Sequence, residues 1–399
     1  MKDMLYNFFI SEDQIMKEIT KNIYNVGASS HNVDLFESHF VVPNGMAYNS
    51  YLIIDEKITL IDGVDELVVD EWLDNIEKVL NGKEINYLVV QHMEPDHSAS
   101  IFALMKKHPN ITVVGGDLTF VMLHNYFRDL ELKNKLVIKE GDVLSLGQHS
   151  LKFVFAPMVH WPEVFISYEL SEKILFSADA FGKFGALDAD EEWACEARRY
   201  YFGIVGKYGF QVQNLLKKLA GVEVNKICSL HGPILEENLG YYLSLYDTWS
   251  KYEGEVDGVF IAYTSVYGHT RAVALEIAEK LKAKGVRVSV SDLARSDMWE
   301  NVEDAFKYKK IVLATTTYNM SIFPYMNELL TNLEERNYQN RVVGLVENGS
   351  WAPQAGRIMK ERLSKMKNMT VLQPVVHIMS SKSKAYDDEI NALVEALSK

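Results

Sequence analysis

The sequence predicts an α/β protein built in two parts: a sandwich of sheets with helices outside, then a doubly wound parallel sheet. Three observations predict it. From about Ser50 to Leu230 the strand-like runs are many and short, with helical stretches between only some of them, so strands pair in succession. Past about Tyr252 strand and helix alternate regularly, as in a parallel sheet covered on both faces. The 399 residues are 48% hydrophobic and 24% charged, an ordinary globular balance with chain enough for two or three domains.

In the first part, YLIID, ITLID, NYLVVQ, ITVVGG, LVIKEG, LKFVFAP, KILFSAD and NKICSL are brief apolar runs bounded by polar, Gly or Pro residues, which read as strands. A helix is expected from about Glu66 to Leu80. GYYLSLYDTWSKYEGEV, from Gly240 to Val256, reads as a helix leading into the second part. The boundary falls at residue 252, giving domains 1–252 and 253–399. Beyond it GVFIAYTS is a strand and HTRAVALEIAEKLKAKG a helix, with Val273, Ile277 and Leu281 spaced by four and Gly285 placed to cap its end. The strands VRVSV, KIVLATTT, RVVGLVENG and VLQPVVHIM then alternate with the helices FPYMNELLTNLEE, GRIMKERLSKM and DDEINALVEALSK. This is the rhythm of a flavodoxin-like sheet, whose ligands bind beyond the carboxyl ends of its strands.

A net charge of −14 argues against a nucleic-acid partner, which needs a basic face. No run approaches the roughly 20 apolar residues that span a bilayer, and MKDMLYNFFISEDQIMKEIT lacks a basic segment followed by an uninterrupted apolar core. The expectation is a cytoplasmic protein with no membrane partner. Cys195 and Cys228 lie far apart and outside any CxxC pair, so neither a disulfide scaffold nor a self-contained Cys₄ iron or zinc module is expected. Both read as core thiols.

The stretch LVVQHMEPDHSAS, residues 88–100, packs two histidines, a glutamate and an aspartate against the end of a strand. If the chain stays extended there, His92, Glu94 and Asp96 point one way and His97 the other; Pro95 biases Glu94 away from the helical region. The competing reading is an exposed polar loop. Three more strand ends carry ligand-type residues: His160 in APMVHWP, Asp179 in LFSADAFG and His231 in ICSLHGP. Four histidines and three carboxylates divide into two imidazoles and one terminal carboxylate for each of two metals, with one carboxylate left to bridge.

At this point the chain resembles the metallo-β-lactamase superfamily. Its hydrolases carry HxHxDH, which suits zinc, whereas here Glu94 gives HxExDH. The added hard oxygen and charge suit non-haem ferrous iron. Three carboxylates and a bridging hydroxide also balance two ferrous ions in a low-dielectric pocket.

In the second part TSVYGHT, comprising Thr264, Ser265, Val266, Tyr267, Gly268, His269 and Thr270, falls between strand and helix. Its hydroxyls, small Gly268 and helix amino end suit a phosphate. TTTYNMSIFP, with Thr316, Thr317, Tyr318 and Asn319, and ENGSWAPQAG, with Asn348, Gly349, Ser350 and Trp351, end strands at the same edge and can flank a flat ring. Tyr318 and Trp351 are the stacking candidates. Together the three loops read as a site for flavin mononucleotide, FMN.

With VGASSHNVDLFE, MAYNSYLI, HMEPDH, PMVHWPE, FSADAFGKFGALD, ARRYYFGIVGKYG, LHGPI and the three flavin loops, the whole chain resembles the flavodiiron proteins, or A-type flavoproteins. The resemblance implies a metallo-β-lactamase-like αββα sandwich followed by a flavodoxin-like doubly wound parallel sheet. It further implies that His92, Glu94 and His160 hold one iron, that Asp96, His97 and His231 hold the other, and that Asp179 bridges. The implied activity is reduction of dioxygen to water, of nitric oxide to nitrous oxide, or both, with electrons relayed through FMN. The donor is then external, rubredoxin or a reduced deazaflavin, and the assembly a head-to-tail homodimer or homotetramer.

There are departures and rivals. The segment between Asp179 and His231 is shorter than is common in the family. Arg271 reads as a solvated helix residue, Tyr201 as core, and His31 as the histidine to watch, since its segment aligns with the family's active-site wall. The rivals are a zinc-dependent hydrolase fused to a flavodoxin-like electron carrier, and a flavin-binding scaffold with a vestigial metal site.

Overall fold

The computed structural model describes residues 17–399; the expectation drawn from the N-terminal segment lies almost wholly outside them. Each of the eight strand runs read in the first part forms a strand. Further strands, among them Lys17–Thr20, Ile23–Asn25, Met46–Tyr48, Val143–Ser145 and Phe165–Glu169, are not among those runs. One seven-stranded sheet runs Lys17–Thr20, Ile23–Asn25, Tyr51–Ile53, Thr59–Ile61, Tyr87–Val89, Thr112–Gly115, Asn134–Val137. Its early pairs are antiparallel and its last three parallel. A five-stranded sheet, from Val143–Ser145 to Lys226–Cys228, makes the second layer of the sandwich.

The strands form where they do because they are buried. Tyr51–Ile53, Thr59–Ile61 and Ile174–Phe176 are buried at every residue, so the period-two alternation of a half-exposed strand is absent. The helix Val69–Leu80 follows a short 3₁₀ turn capped by Asp65, whose side chain accepts from Leu67 N. It buries Trp72, Leu73, Ile76 and Leu80, one face at helical spacing. Its end is set by Asn81 in the left-handed conformation.

In the second part the parallel sheet runs Arg287–Asp292, Val256–Tyr263, Tyr308–Tyr318, Val342–Asn348, then Thr370–Val371 and Val376–Ile378. The first strand in sequence therefore sits inside the sheet, and the order reverses between Val256–Tyr263 and Tyr308–Tyr318. At such a switch point the helices of neighbouring connections lie on opposite faces and leave a crevice. VLQPVVHIM is split in two rather than continuous, since Pro374 can donate no ladder hydrogen bond. The structure adds the helix Met298–Lys307, capped by Asp297, to those read from the sequence.

By packing, the described chain divides into one compact unit comprising residues up to Ala197 with Asn214–Tyr242, and another comprising Arg198–Gln213 with Leu243–Lys399. Arg198, Trp249, Glu255 and Glu303 meet within the second unit: Arg198 is paired with both glutamates and Trp249 Nε1 donates to Glu255. No helix among the described residues is long and apolar enough to cross a membrane.

Candidate functional site

Several strand ends of the sandwich converge. The loop after Tyr87–Val89 carries His92 and Glu94, and it is pinned by Asp62, which follows the neighbouring strand. Asp62 accepts from Gln91 N at 2.7 Å, Gln91 Nε2 at 3.0 Å and His92 N at 3.3 Å. Burial pushes the Asp62 carboxyl up to about 6 against the lowering pull of His97 and these donors. The extended geometry expected through Asp96 ends at Glu94. Glu94 is extended, at φ −59° and ψ 141°, and Pro95 opens a one-turn helix, Pro95–Ser98, because its fixed φ suits the first helical position. That turn swings Asp96 and His97 together, away from His92 and Glu94, so His97 does not stand behind one cluster. His160 comes from the loop before Phe165–Glu169, Asp179 from the end of Ile174–Phe176 and His231 from the end of Lys226–Cys228.

The seven residues form two groups, His92, Glu94, His160 and Asp179, and Asp96, His97 and His231. In the first, Nε2 of His92 and of His160 lie 3.3 and 3.0 Å from Glu94 Oε2, and 3.3 and 3.0 Å from Asp179 Oδ2. In the second, Nε2 of His97 and of His231 lie 3.3 and 3.2 Å from Asp96 Oδ2, and 3.2 and 3.7 Å from Asp179 Oδ1. Asp179 thus turns one oxygen to each group. Ligand atoms about 2.1 Å from a shared ion lie about 3.0–3.4 Å apart at octahedral or tetrahedral angles, which is the spacing seen for every pair but His231 and Asp179, at 3.7 Å.

These residues fit a pair of metal ions on their own evidence. Both oxygens of Asp96 and of Asp179 are buried without a hydrogen-bond partner, although imidazole nitrogens stand close by. Nε2 of His92 and His160 are 3.3 Å apart, and Nε2 of His97 and His231 are 3.1 Å apart. Lone pairs aimed at a common point explain both facts, since buried polar groups are otherwise satisfied. Two of the outer nitrogens are held: His92 Nδ1 donates to Glu163 Oε1 at 2.8 Å and His231 Nδ1 to Ala47 O at 2.7 Å, orienting those rings so that Nε2 faces inward.

Sequence reasoning missed Glu163, Asp62 and the residues of a pocket of about 320 Å³ over Glu94 and Asp96, among them Phe36, Glu37, Tyr48 and Asp65. Each carried a signal in a stretch that bears the resemblance: Glu163 in PMVHWPE, Tyr48 in MAYNSYLI, and Glu37 at the end of the His31 segment. Burial and the nearby Glu94 push the Glu37 carboxyl up to about 8. His31 is exposed and stands 3.2 Å from Asp188, outside both ligand groups. Tyr201 packs against Phe202, Tyr246 and Trp249, as core. Cys195 is exposed and only Cys228 is buried, so the reading of both as core thiols is corrected: Cys195 sits on the outward side of the helix Trp193–Tyr200.

The three loops of the second part line one cavity of about 390 Å³. Ser265, Val266, Tyr267, His269 and Thr270 meet there with Thr316, Thr317, Tyr318, Asn319, Asn348, Gly349, Ser350 and Trp351, and the structure adds Met320 and Ser380. Thr264 and Gly268 do not line it. Thr264 is buried against Thr315, Oγ1 to Oγ1 2.7 Å, and Gly268, at φ +88°, caps the helix His269–Ala283, a conformation that favours glycine. Arg271 is exposed and outside the cavity. The cavity fits FMN: a helix amino end with adjacent hydroxyls suits the phosphate. Tyr267, Tyr318 and Trp351 are 89%, 45% and 76% exposed, rings left open to receive a flat partner.

A sandwich in which seven residues of metal-ligand type converge, with a flavin-type cavity on a doubly wound sheet of the same chain, defines the class of metalloflavoproteins. Residues 46–232 match the ODP family beta lactamase and residues 260–377 the flavodoxin domain. The chain is 29% identical over 366 residues to a nitric oxide reductase of Moorella thermoacetica, covering 89% of this chain and 91% of that one. It is 28% identical over 367 residues to the rubredoxin-oxygen oxidoreductase of Megalodesulfovibrio gigas, covering 88% and 89%. The solved structure of rubredoxin oxygen:oxidoreductase from Desulfovibrio gigas superposes with a TM-score of 0.86 at 27% identity, covering 96% of this chain and 98% of that one. The chain belongs to the flavodiiron protein family, with FMN and a non-haem diiron centre as its cofactors.

Proposed function

We propose that this protein reduces dioxygen to water, nitric oxide to nitrous oxide, or both. In this reading the metal domain spans 1–252 and the FMN domain 253–399. The observation that carries it is Asp179, whose two oxygens address two separate imidazole pairs, with Glu94 placed where zinc hydrolases of this fold carry histidine. When bound, two ferrous ions supply two electrons and a template for both substrate atoms, and reduced FMN supplies two more electrons, enough to take one dioxygen to two waters with four protons.

The chain's own residues prepare the site. Glu163 and the Ala47 carbonyl fix the tautomer and direction of His92 and His231. Glu94 and Asp96 face a pocket whose other walls include Val33, Leu35, Phe36 and Leu67. A pocket of this size that mixes these apolar walls with the carboxyl groups of Glu37 and Asp65 admits a small neutral gas and disfavours anionic or bulky substrates.

We further propose a cytoplasmic protein that receives electrons from an external donor, rubredoxin first and a reduced deazaflavin second, and works as a head-to-tail homodimer or homotetramer. The names of the Moorella and Megalodesulfovibrio relatives support the gases and the donor class. The test is anaerobic assay of iron- and FMN-loaded protein with reduced rubredoxin, adding each gas in turn. Donor oxidation matched to gas consumption is expected. Zinc in the purified protein together with ester or thioester cleavage would favour the hydrolase instead.

A further inference from the structure

Of the residues around the pocket above Glu94 and Asp96, Tyr48 stands out. It is 2% exposed, and its hydroxyl makes no hydrogen bond to any described residue. A buried phenol ordinarily finds a partner. Tyr48 instead lines the pocket, with its phenol within electrostatic reach of Asp65 and Asp96.

The ring is also held in place. Tyr48 ends the strand Met46–Tyr48, and both of its chain neighbours are tied to the His231 loop. The Ala47 carbonyl accepts from His231 Nδ1 at 2.7 Å. Asn49 donates through Nδ2 to Ser229 O at 2.9 Å and Gly232 O at 2.8 Å, and through its backbone N–H to Leu230 O at 2.8 Å. The phenol stands edge-on to the His231 imidazole, with centroids 5.9 Å apart and planes at 69°. Moving Tyr48 therefore means moving a metal ligand.

We propose that Tyr48 is a catalytic residue: its neutral phenol donates a hydrogen bond to the oxygen atom of dioxygen or nitric oxide lodged in this pocket. The inference rests on the reductase reading above. Both gases are poor acceptors until they gain electrons, so a fixed donor acts mainly on the reaction and little on entry of the gas. No other atom needs to move, and the phenol keeps its proton.

The experiment compares the native protein with Tyr48→Phe, both loaded with iron and FMN. Iron and FMN content stay unchanged, kcat falls by about 100-fold, and KM changes little. Infrared spectra of the reduced proteins with added nitric oxide give a second readout. The native N–O stretch shifts on exchange into D₂O, and the variant's does not. Unchanged kcat with the same D₂O response in both proteins overturns the role of Tyr48 alone. If the variant fails to hold iron, the native protein still decides, because a stretch insensitive to D₂O overturns the proposal. A native protein that holds iron and FMN but consumes neither gas overturns the reductase reading and this inference with it.

Discussion

Glu163 Oε1 accepts a 2.8 Å hydrogen bond from His92 Nδ1, and the same oxygen accepts from Met93 N at 2.9 Å. One carboxylate thus fixes both the ring and the backbone of the residue that opens the metal loop, leaving His92 Nε2 to face Glu94, His160 and Asp179. Glu163→Gln keeps the shape and weakens the acceptor. Its ferrous iron affinity should fall about 10–100-fold, measured by competition with a chelator, with little change in FMN content.

Among the described residues, Asp179 alone turns its two oxygens to both ligand groups. Asp179→Asn removes a buried charge and one bridging lone-pair set. The variant should bind one iron or fewer per chain and abolish gas reduction, while flavin absorbance persists. Two irons and unchanged turnover in the variant would argue for a scaffold in which these residues have no catalytic task.

Metal uptake should be coupled to protons. Burial acts to lower the His160 imidazole, but Asp179 and Glu94 override it and raise it to about 9. Below that value the metal-free imidazole carries a proton that an incoming ion must displace. Ferrous affinity should therefore rise between pH 6 and 8, by up to about tenfold per pH unit for each proton displaced. Titration calorimetry in buffers of different ionisation enthalpy measures that release directly.

Trp351 leaves its ring open at the flavin cavity. By analogy with stacking of a base on an aromatic ring, about 1–3 kcal/mol, Trp351→Ala should weaken FMN binding by roughly 5–150-fold. Flavin fluorescence quenching measures it. Iron content should be unaffected.

Much of this architecture is legible in the sequence because buried strands announce themselves. Short apolar runs such as Leu88, Val89 and Val90, all buried, mark where ligand loops begin, and chemistry-bearing residues then fall at strand ends. The phosphate loop is legible for the same reason, since the run before it is a strand and the run after it a helix. What stays hidden depends on contacts between distant segments. Asp62 pins a loop 30 residues on, and Glu163 reaches back 71 residues to His92. Tyr48 borders the pocket only because residues some 180 positions away clasp its strand. The turn at Pro95 reads as extended when the proline is taken only as a constraint on Glu94; the same proline also starts a helix.

The most direct test of the paired-metal site is anaerobic reconstitution with ferrous iron, followed by iron analysis and electron paramagnetic resonance after partial oxidation. Two irons per chain and a spin-coupled mixed-valence signal are the predicted result. A single iron per chain, or two that show no magnetic coupling, would contradict it.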